Sequence, residues 1–568
     1  MYTTGTAFLE ALYERGVRHL FANLGSDHPA IVESMEEAKA ASREVPALIT
    51  CPNEMVALSA AQGYAQVTGQ PQAVLVHVEC GTQALAGAVH NVAKARVPVL
   101  IFAGASPFTQ EGELRGSRNE FIQWIQDVHD QRGIVRGYTR YDNEIRTGRN
   151  VKQLVYRAMQ IACSDPKGAA YLTGAREVME EEVPRVELDA GQWQPIAPCA
   201  LPEQGLRALI ADLATARHPV VVTSFLGRSA AAVAELVKLV ERLAIPVIES
   251  VPSYVNIPAD HPMYLGNQWN APRQNETLAA ADLVLVIDSD VPWIPLVNRP
   301  SEDARVYYID VDPLKEQMPL WYIPSRQVFR ADAATALAQI NAGVADVALD
   351  ADLVAARRER ITALHRQRDE MLRAREVAGE TITPAYLAAC VRDFIDDDTI
   401  VCNEGISNYD VIIDHLGMRR PGSMIASGGG SLGWNGGAAI GVKLAHPDKT
   451  VVAMCGDGSY MFTVPSSVHW MARRYATPFV QIVFNNGGWK SPKLSTLAVH
   501  PDGYASRSSD LGVSFDPPAD YAGIAAAAGG ALALRVSRPE ELRDALAQAF
   551  AAVRGGRSAV LDVQLDPL

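Results

Sequence analysis

Thr450-Val-Val-Ala-Met-Cys455 runs into Gly456-Asp457-Gly458-Ser459, and Pro478-Phe-Val-Gln-Ile-Val-Phe484 runs into Asn485-Asn486. Both apolar runs read as buried strands. The 30 positions from Asp457 to Asn486 fit one crossover helix and a returning strand. Parallel strands joined this way bring their C-terminal ends side by side, where α/β sheets bind ligands. One carboxylate and one carboxamide oxygen then meet backbone amides at a helix start. Hard oxygen donors suit Mg²⁺, which shares its coordination sphere with phosphate oxygens. Glycines let the backbone come close to those phosphates. The stretch therefore reads as a seat for a Mg²⁺-diphosphate.

Bulk properties narrow the class. The 568 residues are enough for three or four domains, and a hydrophobic content of 48% supports buried cores. A net charge of −14 and the absence of a basic tract argue against nucleic acid. The seven cysteines, at 51, 80, 163, 199, 390, 402 and 455, form no C-x-x-C pair, which fits a reducing compartment better than disulfides or zinc. No apolar run is long enough for a membrane span; Ala522–Leu534 is short and broken by glycines. The N-terminal Met-Tyr-Thr-Thr-Gly lacks the charged and apolar regions of a signal peptide, so a cytoplasmic location is expected.

Strand-like and helical runs alternate along the whole chain, which predicts parallel α/β layers. A first segment carries the strand-like runs His19–Leu24, Ala47–Thr50, Ala73–Val78 and Val97–Gly104. A proline-rich linker, Gln194–Pro202, leads to a second with Pro219–Thr223, Pro246–Glu249, Leu283–Asp288 and Arg305–Asp310. The charged stretch Leu353–Glu376 reads as a solvated helix. A last segment carries the Asp457 and Asn486 motifs and matches the first in size and rhythm.

A GDG closed by NN after one crossover resembles the thiamine diphosphate (ThDP) binding motif. The three-segment order resembles the ThDP-dependent decarboxylase and acetohydroxyacid synthase group, across essentially the whole chain. The resemblance implies an α/β fold of three doubly wound parallel-sheet domains. They would be a pyrimidine-binding domain over 1–188, a central domain over 200–345, a helical linker over 346–380 and a diphosphate-binding domain over 381–568. It implies that Asp457, the Asn486 side chain and the Gly488 carbonyl hold Mg²⁺. It also implies a cofactor shared between subunits, hence a homodimer or homotetramer. One departure stands out: the GDG-to-NN stretch is a little longer than in typical acetohydroxyacid synthases, around Pro465-Ser466-Ser467.

The chemistry needs a second carboxylate. Asn53-Glu54-Met-Val-Ala, followed by Gly63-Tyr64-Ala65 and Thr68-Gly69, is similar to the family segment whose glutamate bonds the cofactor pyrimidine, so that its amine can take the thiazolium proton. By itself Glu54 would read as a helix-start glutamate favoured by the dipole. The resemblance further assigns Gly405, Ile406 and Ser407 to the diphosphate, with Gly458 and Ser459. It assigns the Gly430 carbonyl to the pyrimidine amine and Leu432 to the wedge that bends the cofactor. Ser407 also fits a plain N-cap, and Leu432 fits core packing. Gly428-x-Gly430-x-x-Gly433 fits a dinucleotide fingerprint as well, with Asp448 downstream, but Pro447 and a new strand at Thr450 spoil the spacing.

On the substrate side, Gly25-Ser26 and His77 resemble the serine and histidine of benzoylformate decarboxylase, and His28 is an equal candidate for proton transfer. The second histidine of that enzyme has no counterpart; the matching stretch is Asp290-Val-Pro-Trp-Ile-Pro295. Phe121-Ile-Gln-Trp-Ile-Gln126 resembles the stretch in acetohydroxyacid synthases whose glutamine, here Gln126, faces the thiazolium. Thr223-Ser-Phe-Leu-Gly-Arg-Ser229 lacks their Gly-Gly-Gly turn, so FAD is not expected. Lys490 and Lys493 would suit an anionic substrate if they face the pocket, although exposed lysines are commoner. The expectation is a lyase that uses ThDP and Mg²⁺ to make or break a C–C bond next to a carbonyl. Decarboxylation of a small 2-oxo acid with carboligation leads; the alternatives are an acetolactate synthase-like transferase and a 2-hydroxyacyl lyase. A nicotinamide dehydrogenase built on Gly428–Gly433 and a non-catalytic ThDP-binding protein are the competing classes.

Overall fold

The β-branched runs pair in parallel throughout. The computed structural model describes residues 2–269 and 272–567, and they contain three six-stranded sheets. In spatial order the first sheet holds Ala47–Thr50, His19–Ala22, Gln72–Val76, Val99–Ala105, Ala169–Ala175 and Tyr141–Ile145. The second holds Gln327–Arg330, Arg305–Asp310, Leu283–Ile287, Pro219–Thr223, Val247–Glu249 and Tyr264–Asn267. The third holds Met424–Ala426, Thr399–Glu404, Thr450–Gly456, Val480–Asn485, Ala559–Gln564 and Leu532–Val536. Numbered within each sheet, the first and third share the order 2-1-3-4-6-5. The similar rhythm of the two segments therefore reflects one topology used twice. Central strands such as Val99–Ala105 and Val480–Asn485 are buried almost end to end, as parallel strands covered on both faces must be.

One local reading changes. The crossover after Asp457 is not one helix but two, Asp457–Phe462 and Pro465–Arg474. Pro465 takes the first position of the second helix, where its missing N–H costs nothing. Val464 before it lies outside the right-handed helical region, at φ +54°. Pro465-Ser466-Ser467 form the first turn of the second helix. The charged stretch is a 24-residue helix, Ala351–Ala374, with Arg357, Ile361 and His365 buried. The Ala522–Leu534 run divides between helix Tyr521–Gly529 and strand Leu532–Val536. Among the described residues no helix is long and apolar enough to cross a membrane.

Helix Glu54–Thr68 of the first sheet's layer packs on helix Asn435–Ala445 of the third, and one apolar core runs through both. The contact is backbone against backbone. A β-carbon on Gly63 would lie 2.5 Å from the Ala438 carbonyl oxygen, and one on Gly441 would lie 1.9 Å from that of Ala60. Neither carbonyl can move without breaking its helix. Gly441→Ala is expected to lower stability by about 1–3 kcal/mol, the usual cost of overpacking. Thermal denaturation against Gly137→Ala, where a β-carbon meets nothing within 4 Å, checks this.

Candidate active site

The third sheet places the Asp457 half of the site. Strands Thr450–Gly456 and Val480–Asn485 are neighbours, with Gly456 opposite Phe484. Asp457 thus opens its helix next to the Asn485–Gly488 turn. Its carboxylate is 1% exposed. Oδ1 accepts from the Gly458 N–H at 2.8 Å and Oδ2 from the Gly488 N–H at 2.8 Å. Gly487 and Gly488 reach back because both lie at positive φ, +78° and +148°. Burial pushes the Asp457 carboxyl up to about 6, with Asp562 adding repulsion against the three backbone N–H donors. Asn485 is engaged, donating to Asp562 Oδ1 at 2.7 Å and accepting from the Gly487 N–H at 3.1 Å. Asn486 Nδ2 and Ser459 Oγ are buried without a partner. The buried carboxylate is a hard oxygen donor of the kind that Mg²⁺ accepts, and the idle Asn486 N–H₂ and Ser459 hydroxyl fit the oxygens of a diphosphate.

These groups open onto a cleft of about 290 Å³. It is lined by the expected residues Gly405 to Ser407, Leu432, Asp457 to Ser459, Asn486 and Gly488, and also by Trp489 and Lys490. Gly458 is needed for packing, since a β-carbon there would lie 2.7 Å from the Trp489 ring. Lys493 lies one turn along the partly exposed helix Lys490–Val499. Glu404 was missed in the sequence. It is fully buried and accepts from the Gly433 N–H at 2.6 Å and the Asn435 N–H at 2.8 Å. That ties the strand carrying Gly405–Ser407 to the turn carrying Leu432. Desolvation raises its carboxyl to about 7 despite those bonds.

Gly430 stands apart from the cleft lining, exposed, with its N–H donating to His90 Nε2 at 3.0 Å. Asn91 brackets the next residue, accepting from the Ser431 N–H and donating to its carbonyl. This removes the basis for a dinucleotide loop. A β-carbon on Gly428 would meet Ala95, and one on Gly429 would meet Asn91, so the glycines admit a first-layer helix. Moreover, Met424–Ala426 and Thr450–Gly456 flank Thr399–Glu404 on opposite sides, so the loop does not join adjacent strands.

The first sheet gathers the other half. Glu54 opens its helix, with the Asn53 side chain capping the Val56 N–H at 3.2 Å. Burial raises the Glu54 carboxyl, and the nearby His77 partly opposes that. His28 and His77 meet around a residue the sequence reading passed over, with Gln126 on the other side of the His77 ring and Ser26 next to that residue in the chain. Asp27 is 3% exposed. Its Oδ1 lies 2.5 Å from His77 Nδ1, and its Oδ2 accepts from the Val78 N–H at 3.1 Å and lies 3.2 Å from His28 Nε2. His77 Nε2 lies 3.0 Å from Gln126 Oε1. His28 is 1% exposed and its Nδ1 accepts from the Gly25 N–H at 3.0 Å. Ser26 Oγ is buried without a partner. The signal for Asp27 was present, an acid beside a histidine just past a strand end, but it read as a turn residue.

In the second sheet's layer, Asp290 of the stretch without the second histidine is buried in an ion cluster. It lies 2.5 Å from Arg96 Nη2 and 2.6 Å from Lys315 Nζ, which also reaches Asp310 at 2.8 Å. The stretch therefore serves cohesion between the first and second layers.

Comparison with known proteins agrees with this architecture. Residues 2–134 match the model of the thiamine pyrophosphate enzyme N-terminal TPP binding domain, residues 206–340 that of the central domain, and residues 405–563 that of the C-terminal TPP binding domain. Acetolactate synthase of Bacillus subtilis (strain 168) is 24% identical, over 98% of this chain and 92% of its own length. A probable 2-ketoarginine decarboxylase of Pseudomonas aeruginosa is 27% identical over 79% of this chain and 78% of its own. A 2-hydroxyacyl-CoA lyase of Oryza sativa subsp. japonica is 26% identical over 98% and 94%. Among solved structures, the ThDP-dependent 4-hydroxybenzoylformate decarboxylase of Rhodococcus jostii RHA1 superposes with a TM-score of 0.79 at 22% identity, covering 100% of this chain and 99% of that one. With all three domain models matched in order along one chain, this protein belongs to the thiamine diphosphate-dependent enzymes.

Proposed function

We propose that this enzyme is a Mg²⁺-dependent decarboxylase of a small 2-oxo acid, active as a homodimer or an assembly of dimers. The observation that carries the reading is the group formed by Glu54, His77 and the idle Ser26 hydroxyl at one end of the first sheet. It offers a carboxylate, a proton donor and a hydrogen-bond donor for a substrate carboxylate. The cleft around Asp457 is lined by third-sheet residues alone, which supports a site completed by a second copy's first domain.

Asp457, Asn486 and the Gly488 carbonyl would hold the metal, and the amides of Gly405–Ser407 and Gly458–Ser459 the diphosphate. Leu432 would support the ring and Gly430 the pyrimidine. Once bound, the thiazolium supplies the carbon that attacks the keto group and accepts the electron pair released with CO₂. The chain does the rest. Ser26 donates to the substrate carboxylate. Glu54 holds a charge-assisted bond to the pyrimidine in a poorly hydrated site. His77 holds a proton for the carbon that loses CO₂, with Gln126 orienting its ring and His28 behind Asp27 as support. Lys490 at the cleft mouth favours an anionic substrate.

Protein stripped of metal and cofactor, then given a panel of 2-oxo acids, is expected to release CO₂ from at least one member only when both ThDP and Mg²⁺ are restored. Cofactor binding without CO₂ from any member would overturn the decarboxylase reading and favour a lyase or synthase reaction, seen as products from hydroxyacyl or paired carbonyl substrates.

A further inference from the structure

His77 sits between two oxygen atoms. A carboxylate oxygen accepts and does not donate, and so does an amide oxygen. Asp27 Oδ1 lies 2.5 Å from Nδ1 and Gln126 Oε1 lies 3.0 Å from Nε2, so both ring nitrogens must carry a proton for both contacts to be hydrogen bonds. The carboxylate is itself fixed. Its Oδ2 accepts from the Val78 N–H, and Val78 adopts φ +32°, a strained value for a β-branched residue, which keeps that N–H in place. Space has been cleared for the pair. A β-carbon on Gly25 would lie 2.0 Å from His77 Nδ1, and one on Gly104 would lie 1.8 Å from Asp27 Oδ2. Two strand-end glycines thus mark a pair that is built in.

We infer that Asp27 is the positioning residue that keeps His77 as a doubly protonated imidazolium, whose Nε2 proton rests on Gln126 Oε1 until the reacting carbon takes it. The inference deepens the function proposed above and rests on it for the role of the proton, though not for the pairing. His77 gives its Nε2 proton to the carbon that loses CO₂ and is left neutral, with Nδ1–H still on Asp27. The Gln126 amide then turns its idle Nε2–H₂ toward the bare ring nitrogen. Water returns the proton. The titratable groups facing the pair are His28 and Tyr171 behind Asp27, and Glu54 in front. Asp27 and Glu54 both raise the His77 ring above its ordinary value, Asp27 foremost, against the desolvation that lowers it. His28 is driven the other way by burial, and its Nδ1 accepts from the Gly25 N–H.

The test is a pH titration by NMR of the cofactor-free full chain labelled with ¹⁵N-histidine, with the His77 ring assigned from the spectrum of His77→Gln. In the wild type, both ring nitrogens of His77 are expected to stay protonated at neutral pH, with a midpoint above the ordinary value near 6.5. Asp27→Asn keeps the shape and should lower that midpoint by about 1–3 units. It should also bring the alkaline limb of kcat down in pH by a similar amount, whereas a merely structural loss would lower kcat equally at every pH. A wild-type midpoint at or below the ordinary value overturns the inference without any variant, and so does an unmoved midpoint in folded Asp27→Asn. If the NMR result holds but no 2-oxo acid is turned over, the pairing stands and the decarboxylase reading fails.

Discussion

Glu54→Gln is expected to lower turnover by about 10²–10⁴-fold, the range that a positioned acid–base group contributes, while ThDP binding is largely kept. The carboxamide has the same shape and still opens helix Glu54–Thr68, whose cap is made by Asn53 and not by Glu54. What it lacks is the charge. The wild-type carboxyl is partly buried and raised by desolvation, which suits the proposed bond to a ring nitrogen. Steady-state kinetics and a cofactor titration followed by thermal shift separate the two effects. Full activity in the variant would remove Glu54 from the chemistry. Loss of both activity and binding would make it a binding residue only.

Added Mg²⁺ and ThDP are expected to stabilise the apoprotein, and Asp457→Asn to abolish that effect. At ligand about 100-fold above Kd that stabilisation is about 2.7 kcal/mol, or roughly 5–10 °C for a domain of this size. The variant's own apoprotein should melt close to the wild type, because the loss of one of the two backbone N–H acceptors is set against the burial cost of the native carboxylate. The folded-state Asp457 value of about 6 lies above its ordinary 3.8. A carboxyl raised in the folded state favours folding below its ordinary value. That contribution is lost as pH climbs from about 4 through about 6. A bound cation reverses the penalty, and protons compete with it, so Mg²⁺ stabilisation should fade as pH falls below about 6. Melting curves with and without Mg²⁺ and ThDP, for both proteins across this range, decide the matter. An undiminished shift in the variant would take Asp457 out of the metal site.

Much of the fold was legible because its signals are local. Strand ends such as Cys455-Gly456 and Phe484-Asn485 fall where apolar runs meet glycine and polar residues, and neighbouring side chains alone set such boundaries. Helix Glu54–Thr68 is bounded by equally local features, the Asn53 cap and the left-handed Gly69. The break at Val464 was written just as locally, in Pro465, but a length argument for one helix outweighed it. The Glu54 assignment came from resemblance, since a helix-start glutamate has an ordinary structural use.

The chain's own letters thus determined three parallel layers, the order of the segments and the strand-end positions from which polar residues reach out, because backbone periodicity and capping act between near neighbours. Only the tertiary structure decided which of those residues are tied and which are free. Asn485 is used up by Asp562, 77 positions away, and Asn486 is not. Asp27 joins His77 across 50 positions and becomes the centre of its cluster. Gly430 is held by His90 across 340 positions. A buried polar atom must find a partner or remain available to a ligand, and sheet order, not sequence distance, sets which of the two it does.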